Sequence, residues 1–264
     1  WALAFGYVSI SGFEAISIGK VLSYLFPAID RWPLYEFAGS TVYLSHLLLG
    51  VICTTLITWV NWTGARAAAR LQVWLTAAFV AVTLIFVAAG LGSGNTDNLQ
   101  PLWIAAADGG VASAGILAVL VTIPFWFVGF DTIPQGAEEA STSVPPRTLA
   151  FLIVGSIIAA TAFYALIILS VSMVGPWQEL ITSDLPAARA FEHAFSSPWL
   201  SDLVLIAALL GLFTSWNGFF LAGSRVIFAL GRGQIIPKRF GAAHPIHGTP
   251  HWAIALVGGL TALA

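Results

Sequence analysis

The sequence predicts an all-α, polytopic membrane helix bundle, and three observations carry that prediction. Of the 264 residues, 58% are hydrophobic and 8% charged, with a mean hydropathy of +0.90. A soluble domain carries about 25% charged residues, so this chain cannot clothe a water-facing surface. Long stretches free of Asp, Glu, Lys and Arg recur along it, each near the roughly 20 residues that cross hydrocarbon. One of those stretches is interrupted in its middle by prolines, glycines and an acid. Composition also excludes other classes. Ten basic against 12 acidic residues give a net charge of −2, which offers no positive field to nucleic acid. Cys53 is the only cysteine, so no intrachain disulfide forms, and it sits in an apolar run as a small buried hydrophobe.

The elements follow in order. Residues 1–26 are apolar but hold Glu14 and Lys20. Charge-free stretches then run from Glu36 to Arg66, Arg70 to Asp97, Asp108 to Asp131, Arg147 to Glu179 and Asp202 to Arg225, with a last one after Arg239. The predicted spans are 1–26, 40–62, 71–91, 112–138, 149–174, 199–230 and 252–264, within a single membrane domain. GLGSGNTDNLQP at 90–101 is a turn-rich connector, and LPAARAFEHAF at 185–195 suits a short amphipathic helix on the membrane surface. Both ends fall inside apolar runs, so the chain is expected to be an internal piece of a longer membrane protein.

Orientation follows from the basic residues. Alternate loops hold Arg66, Arg70, Arg147, Arg232, Lys238 and Arg239 on one side, but Arg31 and Arg189 on the other. The imbalance places 63–70, 139–148 and 231–250 in the cytoplasm, with plasma membrane as the expected location. Trp32, Trp103, Trp177 and Trp199 fall near the opposite interface.

The fourth span carries the sharpest signal. Pro124, Gly129, Pro134 and Gly136 fall within it, with Asp131 among them. Proline removes a backbone donor and glycine weakens a helix, so a break near residues 128–132 is expected, leaving two half-helices. A broken backbone survives in hydrocarbon only where protein or a water-filled cavity satisfies it. A charge there is costly and usually functional. The alternative for any single proline is an ordinary kink.

VGFDTIPQGAEEASTSVPPRTLAFLI at 128–153 resembles the sixth helix and following loop of amino acid–polyamine–organocation permeases. The matching residues are Phe127, Gly129, Phe130, Asp131, Ala137, Glu138, Glu139, Pro146 and Arg147. NWTGARAAARLQ at 61–72 is similar to the family's Asn-x-x-Gly-x-(Arg/Lys) step between helices. SRVIFALGRGQIIPKRFGAAHPIHGTPHWAI at 224–254 is similar to its Ser-Arg…Gly…Pro loop and the following Thr-Pro. The resemblance implies the family's third to ninth helices. They would form part of a five-plus-five inverted-repeat transporter core with a discontinuous helix. It implies secondary active transport of amino acids or related amines, by symport or exchange coupled to H+ or Na+. No cofactor is implied, and the partners are a small-molecule substrate and the bilayer. A piece of this extent, without the family's first broken helix, is not expected to transport by itself.

The candidate substrate-binding residues are Phe127, Val128, Gly129, Phe130, Asp131 and Thr132 at the break, with Ser9, Gly12 and Asn217. Half-helix ends offer carbonyls to an ammonium and amides to a carboxylate. Phe127 and Phe130 either close over substrate or pack as ordinary apolar surface. Asp131 has three compatible roles: binding an amine, carrying a proton, or capping the second half-helix. Ser9 and Gly12 line a cavity or serve helix packing.

For ion or proton coupling the candidates are Asp131, Glu14, Thr214 and Ser215. The adjacent hydroxyls of Thr214 and Ser215 stand where sodium-coupled relatives of this fold hold the ion; the alternative is bonding back to helix carbonyls. No lysine or arginine lies between Arg70 and Asp97, a departure from proton-coupled members with a lysine in that helix. Glu138 and Glu139 fall near the cytoplasmic end, where a solvated helix end paired with Arg147 accounts for them.

Three histidines, His244, His247 and His251, follow the sixth span, but Pro245 and Pro250 interrupt them and no cysteine or acid accompanies them, so no metal site is assigned. No GxxxxGK[ST] phosphate loop and no GxSxG elbow is present, and the chain is not expected to be an enzyme. The competing reading is a multi-pass receptor, which seven spans would suggest.

Overall fold

The computed structural model describes residues 1–37, 40–101, 112–135, 145–180, 185–195 and 198–264. The described residues are almost entirely helical: α1 (Ala2–Leu25), α2 (Leu44–Thr63), α3 (Ala65–Ser93), α4 (Ala112–Trp126), α5 (Thr132–Gln135), α6 (Pro146–Val174), α7 (Trp177–Leu180), α8 (Pro186–Phe195), α9 (Pro198–Arg232) and α10 (His251–Leu263). Among the described residues, five helices are long and apolar enough to cross a membrane: Ala2–Leu25, Leu44–Thr63, Arg66–Ser93, Pro146–Val174 and Trp199–Arg232. Gly115–Pro124 and His251–Leu263 are apolar but shorter. The chain is an all-α, multi-pass membrane bundle.

Three boundaries differ from the sequence expectation. Residues 40–43 are not the start of a span. They form strand β2 (Ser40–Tyr43), antiparallel to β1 (Pro33–Phe37) with Glu36 opposite Thr41. Aromatic and β-branched residues (Tyr35, Phe37, Thr41, Val42, Tyr43) favour that extended form. Residues 63–70 are mostly helix rather than loop. ARAAAR combines two of the best helix formers, so α3 begins at Ala65, immediately after Gly64, whose φ of +149° ends α2. The break in the fourth span covers 127–131, one residue earlier than expected, and α5 follows it. The amphipathic helix expected at 185–195 is α8.

The chain divides into two compact units. In unit 1 (1–81, 135–139, 205–264), α1, α2, α9 and α10 share a core of Ala15, Ile18, Cys53, Ile57, Trp216, Phe220, Ile254 and Val257. Small residues let these helices approach. A side chain at Gly50 would stand 2.7 Å from the carbonyl oxygen of Ala15, the close backbone contact that drives helix association in lipid. In unit 2 (82–134, 140–204), Phe86 of α3 meets fully buried Phe191 of α8 at 4.2 Å between ring centroids, and Ile167 and Val171 of α6 pack against them. The rest of α6 is open to its surroundings, as an apolar helix facing lipid would be.

Candidate functional site

The broken helix lies in unit 2. Pro124 sits inside the last turn of α4, which ends at Trp126. Phe127 still donates its N–H to Ile123 O at 3.0 Å. Gly129 then takes a φ of +129°, a conformation that side chains disfavour. Asp131 holds the turn closed by accepting the Gly129 N–H at 2.9 Å. Thr132 donates both its N–H (3.0 Å) and its hydroxyl (2.6 Å) to Gly129 O. So Gly129, Asp131 and Thr132 form one hydrogen-bonded knot. Among the described residues, the N–H groups of Val128 and Phe130 donate to no carbonyl.

A helix of the same unit supports the break. Tyr164 of α6 donates its hydroxyl to the carbonyl of Trp126, the last residue of α4, at 2.8 Å. Its ring meets Phe127 at 5.3 Å between centroids. A helix end leaves carbonyls without intrahelical partners, and Tyr164 satisfies one of them. A cavity of about 240 Å³ lies here, walled by Phe127, Phe130 and Trp126 on one side and Ser156, Ala160 and Tyr164 on the other. The sequence predicts span 149–174 but not Tyr164 as a neighbour of the break, because a tyrosine in an apolar span carries no sign of which neighbour its hydroxyl reaches.

The other candidates lie in unit 1. Glu14 of α1 is 7% exposed. Its Oε1 accepts a hydrogen bond from the Ser215 hydroxyl of α9, and its buried Oε2 has no partner among the described residues. Ser215 also contacts Leu212 O at 3.2 Å. Thr214 donates to Gly211 O at 2.8 Å, the back-bonding alternative. The adjacent hydroxyls therefore behave differently: one is spent on its own helix, the other engages a carboxyl.

Asn217 of α9 is 2% exposed and is taken up within the unit. It accepts from Asn61 Nδ2 of α2 at 3.0 Å and donates to Gln72 Oε1 (2.9 Å) and Ala68 O (3.3 Å) of α3. This clasp ties three helices: a buried amide must find partners, and Asn217 finds them on α2 and α3 of its own unit. Gly12 is buried where a Cβ would come 2.7 Å from Ala264, the helix-packing alternative. Ser9 is exposed on α1.

Glu138 and Glu139, Trp103, most of loop 139–148 and the end of span 112–138 lie outside the described residues. His244, His247 and His251 gather beside Trp62, with His244 at 4.8 Å from His247 and 5.2 Å from His251 between ring centroids. Among the described residues no group of three His, Cys, Asp or Glu side chains is placed to hold a metal ion.

Comparison with known proteins places these features in a family. A family model described as amino acid permease matches residues 1–264. The chain is 31% identical over 247 residues to the chloroplastic cationic amino acid transporter 9 of Arabidopsis thaliana, covering 91% of this chain and 41% of that protein. It is 28% identical over 207 residues to the branched-chain amino acid permease BcaP of Bacillus subtilis (strain 168), covering 78% and 43%. It is 24% identical over 215 residues to the methylthioribose transporter of the same organism, covering 81% and 44%. The chain thus spans less than half the length of these relatives. With the family model matching residues 1–264, the chain belongs to the amino acid permease family.

Proposed function

We propose that this chain supplies part of the transport core of a secondary amino acid transporter in a cellular membrane, with substrate held at the break of the fourth span. The single observation that carries the reading is the break itself. An apolar helix opens at 127–131, a glycine in the left-handed region and an acid hold it open, and amides of Val128 and Phe130 are left to a ligand. Half-helix ends of this kind suit a substrate's charged groups. The relatives named as amino acid transporters, and the family itself, support the substrate class. The inverted-repeat arrangement, the cytoplasmic placement of 63–70, 139–148 and 231–250, and a plasma-membrane location belong to the same proposal.

Coupling is assigned to unit 1. Glu14 is a buried carboxyl with one oxygen on a hydroxyl donor and the other bare among the described residues. A group of that kind suits uptake and release of a proton, and Ser215 gives the ionised form a donor. The test is uptake by the full-length protein in liposomes under imposed gradients. Proton-driven uptake that Glu14→Gln reduces to its gradient-free rate supports the assignment. Sodium-driven uptake unaffected by that substitution would move coupling to Thr214 and Ser215.

A further inference from the structure

We propose that the loop joining α9 to α10 binds the phosphate headgroup of an anionic membrane lipid, with Arg232, Lys238 and Arg239 as its cations. The site does not depend on where substrate binds. Three observations carry it. First, the fold gathers these cations. α9 ends at Arg232, and Lys238–Gly241 forms a 3₁₀ turn. That turn lies backbone to backbone against the end of α9: a Cβ at Gly241 would come 2.5 Å from Arg232 N, and one at Gly231 would collide with the Gly241 backbone. Two glycines therefore bring Arg232 against the turn that carries Lys238 and Arg239, and all three cations are exposed. Second, the charge of this segment has one sign. From Leu203 to Ala264 the sequence holds no Asp or Glu. Like charges held together repel, and a bound phosphate relieves that repulsion while accepting paired N–H bonds from a guanidinium. Arg239 lies 5.0 Å from the ring centre of Phe240 and 5.9 Å from that of Trp252, and Arg232 lies 5.6 Å from that of Phe228. A ring engages the face of a guanidinium, whereas phosphate is gripped by its N–H edges, so the two contacts are compatible.

Third, apolar side chains beside the cations point to a lipid as the source of the phosphate. α9 is long and apolar enough to cross a membrane, so the residues after Arg232 emerge at a membrane face, and apolar α10 starts back at His251. In the loop between them Ile235 and Ile246 are 63% and 83% exposed, and Trp252 is exposed at the start of α10. Ile235 is fixed in place, because its N–H bonds Leu230 O at 3.0 Å while that of Gln234 bonds Gly231 O at 3.1 Å, the paired closure of a helix end. A soluble anion gains nothing from aliphatic neighbours. The hydrocarbon edge beneath a headgroup does, and tryptophan favours that level. Under the orientation proposed above this face is cytoplasmic, the side on which anionic lipids concentrate.

The experiment follows thermal unfolding of the full-length protein in neutral detergent as phosphatidylglycerol, phosphatidylcholine or inorganic phosphate is added, since a ligand of the folded state raises the midpoint. Saturable stabilisation by phosphatidylglycerol is expected, with none from phosphatidylcholine at the same concentration. In Lys238→Gln/Arg239→Gln the apparent affinity for phosphatidylglycerol should fall about fivefold for each cation removed. Arg66→Gln/Arg70→Gln removes the same charge from exposed positions of α3 and should leave that affinity unchanged. Ile235→Ser/Ile246→Ser should weaken it, as an apolar anchor requires. Equal stabilisation by inorganic phosphate would make this a site for a soluble anion and overturn the lipid assignment. Equal stabilisation by phosphatidylcholine would overturn the role of headgroup charge. The same loss in both charge variants would replace a local site by the overall charge of the face. The comparison of the three ligands on the unmodified protein decides the matter if a variant does not fold, and none of these readouts requires transport.

Discussion

Asp131 closes the turn in the fourth span by accepting the Gly129 N–H at 2.9 Å, so it shapes the break itself. A hydrogen bond to a charged group contributes about 1.5–3 kcal/mol. Asp131→Asn is therefore expected to lower uptake by at least about tenfold while leaving the helical circular dichroism unchanged. Outside the membrane, His244 offers a separate titration. Partial burial, then the nearby imidazoles of His247 and His251, hold its pKa below the ordinary 6.5. Its Nδ1 faces the N–H groups of Ile246 and His247, both at 3.3 Å, and protonation would remove that acceptor. The folded loop thus binds its proton less readily than the unfolded chain. Its contribution to stability is complete above about pH 6.5 and is lost as pH falls through the folded midpoint. Histidine NMR should find a His244 midpoint below 6.5, moving upward in His247→Ala; a midpoint that does not move would remove that neighbour as a cause.

At the scale of elements, the clasp of Asn61, Asn217 and Gln72 joins α2, α3 and α9 through buried amides. Asn217→Ala would leave Asn61 Nδ2 with only its bond to Ile57 O and Gln72 without its amide donor. The expected cost is about 1–3 kcal/mol, read as a lower midpoint of thermal unfolding in detergent, with no change in the substrate KM. An increase in KM at unchanged stability would return Asn217 to the substrate site. Helix existence was legible in the sequence because charge-free runs of membrane length have few other solutions. The break was legible too, since Pro124, Gly129 and Asp131 announce it. What the sequence could not show is which side chains meet. Nothing in the apolar run of α6 marks Tyr164 as the partner of Trp126. Ser215 and Glu14 lie 201 positions apart. The hairpin at 33–43 was hidden because its β2 strand continues, in apolar character, straight into α2.

For the whole molecule, the composition that excluded a soluble protein is also what the fold uses. Exposed apolar side chains such as Val121 and Phe151, 80% and 76% accessible, are the cost-free surface of a protein solvated by lipid. Polar groups are concentrated instead at the break in unit 2 and at the Glu14–Ser215 and Asn217 contacts in unit 1, the pattern expected where intramembrane polar groups serve function or association. The most direct test is saturable uptake of a panel of labelled amino acids by the full-length protein in liposomes. A proton and a sodium gradient are imposed separately, and the unmodified protein is compared with Asp131→Asn. Uptake of at least one amino acid is expected, faster under one gradient and reduced about tenfold or more in the variant. Full uptake by Asp131→Asn, or no uptake of any amino acid under either gradient, would contradict it.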